Sequence, residues 1–257
     1  FFSSRRRHTR LLTVTGSSDV CSSDLFVVAE IGVNWDGDFE LVKKIMSEAK
    51  TLGCNAVKFQ AYDKNIVKDH PEWKRLMNAT ISKENIEIID NLARSVGIEW
   101  FCTPMYLEAV EMLDPFVKRF KIRAHDAKVL LDGKTTDLID AVLKTGKEII
   151  ASSARSPKDC KYFQHPKIKW LYVVPKYPCD ITDLDFSAIK EYNGYSNHCP
   201  HFIAPLTAAI LGSEIVEVHI TPDKSANFID NDVSFDFNEL KNLVSLIRLS
   251  EKMKLVN

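Results

Sequence analysis

Two histidines stand at the ends of short strand-like runs that flank one helical segment. His198 closes residues 194–198 and His219 lies in residues 216–221, while residues 202–211 have the length and composition of a crossover helix. Strands joined in this way are parallel and adjacent, so both imidazoles are predicted to emerge at the carboxyl edge of one sheet, where α/β folds bind ligands. Two imidazoles there suit a divalent metal with positions left open for substrate. The alternative is that each is an ordinary core or surface histidine.

Strand-like apolar runs alternate with helical patterns from residue 26 to residue 252. Apolar strands that helices cover on both faces indicate a parallel sheet. Eight strand-helix units favour a closed (β/α)8 TIM barrel of the α/β class over an open doubly wound sheet, and the first strand is not followed by the Gly-rich dinucleotide fingerprint. The predicted strands are 26–32, 56–60, 98–102, 117–122, 148–151, 168–174, 194–198 and 216–221. The main predicted helices are 39–52, 83–96, 107–113, 136–145, 186–191, 202–211 and 236–252, with a short one after Pro157.

Charged and hydroxyl side chains recur where these strands end. Inside a barrel such groups need a partner or a ligand. Lysines and hydroxyls suit a phosphate, and imidazoles with the neighbouring Glu217 suit a metal. The alternative is that Lys58, Lys121 and Glu30 form buried ion pairs that only hold the barrel together. The strand-end residues are Glu30, Lys58, Gln60, Thr103, Lys121, Arg123, Ser152, Ser153, Lys176, Tyr177, Ser196, His198, Glu217 and His219.

Composition narrows the class of protein. The chain has 34 Lys and Arg against 35 Asp and Glu, a net charge of −1, which predicts no nucleic-acid partner and no membrane surface. No apolar run approaches the roughly 20 residues of a membrane span, so a soluble protein is expected. The six cysteines show no CxxC spacing, which fits reduced thiols in the cytoplasm.

Residues 1–25 differ from the rest of the chain. They are rich in Arg and Ser, but they lack the apolar core of about seven to fifteen residues that a secretory signal needs. They resemble translated sequencing-adapter read-through. We therefore predict a non-native or disordered tail, with a transit peptide as an alternative, and a barrel that occupies residues 26–254.

Six short motifs occur in order along the barrel region. Together they resemble the barrel domain of the N-acetylneuraminate (sialic acid) synthase family, which includes legionaminic and pseudaminic acid synthases. The resemblance implies condensation of phosphoenolpyruvate with an N-acetylated amino-sugar aldehyde, similar to N-acetylmannosamine, to give a nonulosonic acid and phosphate. It also implies a divalent metal, Mn²⁺ in the first place with Mg²⁺ or Co²⁺ as alternatives, and a homodimer. The motifs are residues 29–34 with 37–38, 57–60, 103–104, 177–178, 194–198 and 217–221.

The resemblance also implies roles for individual residues. His198 and His219 are expected to be the metal ligands, and Glu30 is expected beside the metal, where a carboxylate orients water or accepts a proton. Asp126 stands where the family has an acidic residue, so it is expected to be catalytic together with Glu30 and the two histidines. The residues expected to hold phosphoenolpyruvate are Lys58, Lys121, Ser152 and Ser196. Those expected to face the sugar are Gln60, Tyr177 and Asp230, and Thr103 and Arg123 complete the substrate-binding set.

Several positions depart from the family pattern, mostly by exchanging small residues for bulky or cationic ones. A different acceptor sugar, or loss of activity, is therefore an open expectation. Arg123 and Arg155 are predicted to be additional anion contacts. The departures are Trp35-Asp36 for His-Asn, Arg123-Ala124-His125 for Gly-Ser-Gly, Ser152-Ser153-Ala154-Arg155 for Ser-Thr-Gly, and Phe228-Ile229 for Gly-Pro.

Two other functions compete with the synthase. One is a catalytically silent barrel that binds a phosphorylated sugar in surface-polysaccharide biosynthesis. The other is an aldolase that uses Lys58 or Lys121 as a Schiff base. The family's C-terminal antifreeze-like domain is expected to be absent, either because the gene is truncated or because this subgroup lacks it.

Overall fold

The eight strands form one closed barrel in chain order, and every neighbouring pair is parallel. The computed structural model describes residues 25–253. Residues 1–24 of the predicted tail and residue 254, the predicted end of the barrel, therefore lie outside the described part, as do residues 255–257. The predicted (β/α)8 TIM barrel is confirmed. The strands are β1 Phe26–Glu30, β2 Ala56–Ala61, β3 Glu99–Pro104, β4 Arg119–Ile122, β5 Glu148–Ser153, β6 Ile168–Tyr172, β7 Gly194–Asn197 and β8 Ile215–His219.

Helices cover the outside of the barrel, and local sequence sets several of their ends. The carboxylate of Asp38 accepts hydrogen bonds from the first backbone N–H groups of α1. Gly97 ends α4 in the left-handed conformation, at φ 72°. No helix within residues 25–253 has the length and hydrophobicity that crossing a bilayer requires. The helices are α1 Phe39–Thr51, α2 Lys64–Val67, α3 Trp73–Asn78, α4 Ile86–Val96, α5 Leu107–Leu113, α6 Ala124–Leu131, α7 Asp137–Lys144, α8 Ile203–Ile210 and α9 Phe237–Ser250.

The strand register brings the polar strand ends to one rim. Glu30 is paired with Lys58 on β2 and with His219 on β8, and Ser196 is paired with Glu217. Alternate residues of a strand point to the same side, so Glu217 lies one layer below His219 on the inner face of the barrel. The predicted adjacency of the two histidine-bearing strands is therefore confirmed.

Five segments differ from the helices predicted from the sequence. The short helices α2 and α3 lie between the predicted strand 56–60 and the predicted helix 83–96, and α6 starts directly after β4; no helix is predicted at these three places. Only Ala127 and Leu130 of α6 are buried, so the apolar stripe that would reveal this helix is too weak to recognise. The helix predicted after Pro157 consists of turns, and residues 186–191 contain only a single 3₁₀ turn.

The start of α4 is also shifted relative to the predicted helix 83–96. Asn85 is the residue before the helix. The Asn85 side chain accepts from the Ser82 backbone N–H at 2.9 Å and donates to the Thr80 carbonyl at 2.8 Å. The extra turn that these bonds stabilise moves the start of the helix to Ile86.

Candidate active site at the carboxyl end of the barrel

A cavity of about 530 Å³ opens at the carboxyl ends of the strands. Its lining includes every predicted site residue except Asp126. Strand ends contribute its floor, and the loops after β1, β2 and β8 contribute one wall. The predicted residues that line it are Glu30, Lys58, Gln60, Thr103, Lys121, Arg123, Ser152, Tyr177, Ser196, His198, His219 and Asp230.

The floor of the cavity is a buried cluster of two lysines and two glutamates. Lys58 Nζ lies 2.8 Å from Glu30 Oε2 and 3.8 Å from Glu217 Oε1, and Lys121 Nζ lies 2.9 Å from Glu217 Oε2. Ser196 donates a hydrogen bond of 2.9 Å to Glu217 Oε1. The buried ion pairs that were the alternative to a ligand site are therefore present, but the same lysines also face the cavity. Glu217 is engaged by this cluster and is not a free carboxylate beside the histidines.

Burial and opposite charge compete in this cluster. Burial alone would raise the pKa of Glu217, but Lys121 and Lys58 outweigh it and lower that pKa to about 2. Burial would likewise lower the pKa of Lys58, but Glu217 and Glu30 outweigh it, and the pKa of Lys58 is raised. For Lys121 burial dominates over the attraction of Glu217, so its pKa is lowered. Glu217 is thus the anion that keeps two buried ammonium groups in place.

Ser152 provides a buried hydroxyl that makes no hydrogen bond to the other described residues. Its side chain is 2% exposed at the end of β5, and its Oγ has no hydrogen-bond partner among residues 25–253. Buried polar groups are nearly always bonded, and leaving one unpaired costs about 1–3 kcal/mol. Because Oγ lines the cavity, it is a donor that is poised for a ligand.

The two histidines share the rim, as their strand positions predict. Their ring centroids lie 5.5 Å apart, a separation that one ion can span with metal–nitrogen bonds of about 2.1 Å. His198 Nδ1 lies 3.1 Å from the Val174 carbonyl, so it donates there and leaves Nε2 free. Burial, together with the nearby His219, lowers the pKa of His198 to about 4, which keeps the imidazole neutral at pH 7, as a metal ligand requires.

The imidazoles of His198 and His219 could hold a metal ion whose other coordination positions are left open. Among residues 25–253, no group of three or more His, Cys, Asp or Glu side chains is placed to hold an ion. Asp230 Oδ2 lies 3.5 Å from His219 Nδ1, and the Tyr177 hydroxyl lies 3.1 Å from the same nitrogen. The two imidazoles therefore form a partial ligand set, and substrate oxygens and water would have to complete it.

The rim beside the histidines carries polar groups in tight contact. Gln60 donates a 2.9 Å hydrogen bond to Glu30 Oε1. A Cβ atom at Gly32 would lie 3.2 Å from Asp230 Oδ2 and 3.3 Å from Glu30 Oε1, and Gly32 has φ 54°. A side chain at Gly32 would therefore push these carboxylates apart. Tyr177 is half exposed, but its hydroxyl lies against His219, and desolvation of that hydroxyl, followed by the charge of Asp230, raises its pKa well above the usual value.

Other predicted residues lie outside the cavity. Asp126 accepts a 2.6 Å hydrogen bond from Arg123 Nε and reaches the site only through that guanidinium. Arg155, also predicted to be an anion contact, pairs with Asp132 at 2.7 Å and lines a neighbouring cavity together with His125, apart from the cavity that Arg123 lines. Trp35 is fully buried and donates to the Ala79 carbonyl at 3.0 Å; it is a core residue.

Sequence reasoning missed the apolar wall of the cavity. These residues come mainly from the segment after β2 and from the loop after β8, and they carry no chemical signal in the sequence. The missed lining residues are Val33, Tyr62, Ile66, Val67, His70, Leu76, Met105 and Ile229.

A closed barrel with buried lysines, carboxylates and imidazoles at the carboxyl ends of its strands defines the class as a (β/α)8 barrel with a ligand site at its catalytic face. The NeuB family model matches residues 45–255, so the chain belongs to the NeuB family. The predicted family resemblance is confirmed.

Individual relatives agree with this assignment. An uncharacterized protein from Methanocaldococcus jannaschii is 31% identical over 246 residues, covering 89% of this chain and 71% of the relative. The N,N'-diacetyllegionaminic acid synthase of Legionella pneumophila is 28% identical over 270 residues, covering 92% and 74%. The crystal structure of the sialic acid synthetase of Leptospira borgpetersenii in complex with citrate is similar with a TM-score of 0.76 and 26% identity, over 89% of this chain and 84% of that one.

Proposed function

We propose that this protein condenses phosphoenolpyruvate with an N-acetylated amino-sugar aldehyde, forming a nonulosonic acid and releasing phosphate. The observation that carries the proposal is the set of residues that share one cavity. Buried Lys58 and Lys121 line it together with His198 and His219. The Ser152 hydroxyl, which has no partner among residues 25–253, also faces it. Membership of the NeuB family supports the same reaction class.

The floor of the cavity suits the phosphate and carboxylate of phosphoenolpyruvate. Lys58 and Lys121 supply positive charge, and Ser152 and Ser196 supply hydroxyl donors. Because the two ammonium groups are balanced by Glu30 and Glu217, further positive charge for a phosphate has to come from the rim. Arg123 is the cavity-lining guanidinium there; its Nε is paired with Asp126, and its other N–H groups would contact the phosphate.

The rim suits the acceptor aldehyde. A divalent ion, Mn²⁺ in our proposal, would be held by His198 and His219 and would act as a Lewis acid on the aldehyde oxygen. Tyr177 and Asp230, beside His219, would orient the sugar hydroxyls together with Gln60. The polar groups of the protein therefore divide between a phosphate half and a sugar half of one cavity.

The bonds that change follow from these two substrates. The methylene carbon of phosphoenolpyruvate forms a bond to the aldehyde carbon, whose oxygen takes up a proton. Water adds to the carbon that bears the phosphate oxygen, the bond between that carbon and oxygen breaks, and inorganic phosphate leaves. Glu30 lies against this part of the cavity, where its carboxylate would stabilise the developing positive charge and accept the proton of water.

Phosphate release tests the proposal. The protein would be incubated with phosphoenolpyruvate and a panel of N-acetylated hexosamines, with Mn²⁺ and with a chelator. Acceptor-dependent phosphate release that the chelator abolishes is the expected result. No release with any acceptor would favour a silent, sugar-binding barrel instead.

One observation favours a second candidate. Burial lowers the pKa of Lys121, as an amine that forms a Schiff base requires, although Glu217 lies within 2.9 Å. Borohydride reduction in the presence of a keto acid would attach the acid to Lys121 if the aldolase were correct. We expect no attachment, because the ion pair with Glu217 holds the ammonium form.

Replacing Arg123 by alanine is expected to raise the KM for phosphoenolpyruvate about 10- to 100-fold, the loss that one charge-assisted contact of about 1.5–3 kcal/mol gives. The KM for the acceptor should stay within about twofold. Steady-state kinetics with each substrate varied in turn measures both. Arg155→Ala is the matched control, because that guanidinium pairs with Asp132 outside the cavity. An unchanged KM in Arg123→Ala would remove this residue from the site.

Replacing Ser152 by alanine is expected to weaken phosphoenolpyruvate binding without lowering stability. The hydroxyl has no partner among residues 25–253, so its loss should leave the free energy of unfolding unchanged or raise it by up to about 1 kcal/mol. Urea unfolding and the KM for phosphoenolpyruvate measure the two effects. Ser213→Ala removes another buried, unpartnered hydroxyl away from the cavity and should leave the KM unchanged. A clear loss of stability in Ser152→Ala would contradict the assignment of a ligand donor.

A further inference from the structure

Three loops at the cavity mouth meet at Arg75. Its Nε and Nη2 donate to the two carboxylate oxygens of Asp36 at 2.7 Å each, and Nη2 also donates to the carbonyl of Asn227. Asp36 lies in the loop after β1, Arg75 in α3, and Asn227 in the loop after β8. One guanidinium therefore connects all three loops.

Arg75 belongs to the segment that forms the apolar wall. This segment, residues 62–78, contains α2 and α3 and places Ile66, Val67 and Leu76 in the cavity. Within the segment the Tyr62 hydroxyl donates to the Leu76 carbonyl at 2.7 Å, and just after it Trp35 donates to the Ala79 carbonyl at 3.0 Å. Arg75 is the contact that joins the segment to the loop bearing Ile229 and Asp230.

The other two loops do not depend on Arg75 for their mutual position. Asn34, in the loop after β1, donates to the Ile220 carbonyl at 3.0 Å and accepts from the Asp230 backbone N–H at 3.0 Å. These bonds fix the loop after β8 against the loop after β1. Loss of the Arg75 contacts should therefore loosen residues 63–75, although Trp35 still holds Ala79, and leave the loop after β8 in place.

We infer that Arg75 is a positioning residue that fixes the apolar wall of residues 62–78 against the acceptor side of the cavity. The acceptor side of the cavity is assigned by the proposed function, on which this part of the inference rests. The contacts of Arg75 do not depend on that function. A planar guanidinium can bind both oxygens of Asp36 and a backbone carbonyl at once, which lysine cannot do. The wall then presents Ile66, Val67 and Leu76 to an apolar group of the acceptor, such as the methyl of an acyl substituent.

The backbone at Asp36 suits this arrangement. Asp36 has φ 50°, the left-handed region in which Asp and Asn are the best tolerated residues other than glycine. Asn can therefore replace Asp there without new backbone strain. The side chains of Arg75 and Asp36 are 27% and 30% exposed, so their pairing is partly screened and adds little to global stability.

The test compares Asp36→Asn with Glu72→Gln. Glu72 also pairs with Arg75, at 3.0 Å, but it lies on the same segment, so its loss removes a charge without disconnecting the loops. In Asp36→Asn we expect the acceptor KM to rise about tenfold, with the phosphoenolpyruvate KM within about twofold and the melting temperature nearly unchanged. In Glu72→Gln all three values should match the wild type.

Amide hydrogen exchange gives a second readout that needs no substrate. In Asp36→Asn, amides of residues 63–75 should exchange faster, while those of residues 224–232 should not change. Unchanged exchange in residues 63–75, or an equal increase in Glu72→Gln, would overturn the inference. If no acceptor supports turnover, the proposed function fails, and exchange alone still decides the role of Arg75.

Discussion

Replacing Glu217 by glutamine is expected to lower the free energy of unfolding by about 3–5 kcal/mol, the cost of leaving buried charge without its partner. Glu217 lies 2.9 Å from Lys121 and 3.8 Å from Lys58, and both lysines are buried. Glutamine keeps the shape and the hydrogen bond from Ser196 but cannot neutralise two ammonium groups. Urea unfolding at pH 7 measures the loss.

Glu214 provides the control for this change. It lies three residues earlier, at the foot of β8, and pairs with Lys169 at 2.8 Å on the surface. Because exposed pairs contribute at most about 1 kcal/mol, Glu214→Gln should unfold nearly as the wild type does. Equal stabilities of Glu217→Gln and Glu214→Gln would show that the lysine charges are not held by Glu217.

The same carboxylate predicts the response to acid. The pKa of Glu217 is lowered from 4.5 to about 2, so the folded state binds its proton only at a lower pH than the unfolded chain does. Its stabilising contribution is therefore fully present above about pH 4.5 and is lost as the pH falls toward 2. The difference in unfolding free energy between the wild type and Glu217→Gln should narrow across this range.

The sequence predicts the cavity floor because polar residues inside apolar strands are rare and conspicuous. Lys58 and Lys121 stand in runs that are otherwise buried, and strand alternation fixes the side to which they point. The barrel itself follows from eight repeats of one strand-helix unit. The rim histidines are predicted for the same reason, since the end of each strand can be located to within a few residues.

The remaining features of the site depend on contacts between distant residues. Asp36 and Arg75 are 39 positions apart, and neither residue type indicates its partner. The apolar wall residues Ile66 and Val67 resemble any exposed aliphatic pair in a polar loop. Arg155 appears equivalent to Arg123 in the sequence. In the structure, however, Arg155 pairs with Asp132 and lines a different cavity from Arg123. Such pairings require the three-dimensional packing of loops, which local pattern does not encode.

Replacing His198 or His219 by alanine is expected to abolish Mn²⁺ binding and to reduce kcat about 10³-fold, because Lewis-acid stabilisation is worth several kcal/mol. The basis is the 5.5 Å separation of the two rings at the rim and the free Nε2 of His198. Titration calorimetry of Mn²⁺ against each variant measures binding without any substrate. Folding should be retained in His198→Ala, since its side chain makes one hydrogen bond among the described residues, to the Val174 carbonyl.

His201 is the control for the histidine variants. It lies three residues after His198, is exposed, and does not line the cavity. His201→Ala should bind Mn²⁺ and turn over as the wild type does. Because two ligands acting on one ion are not independent, the double variant of His198 and His219 should lose no more activity than either single variant. Additive losses in the double variant, or Mn²⁺ binding that survives in both single variants, would show that the two imidazoles do not share an ion.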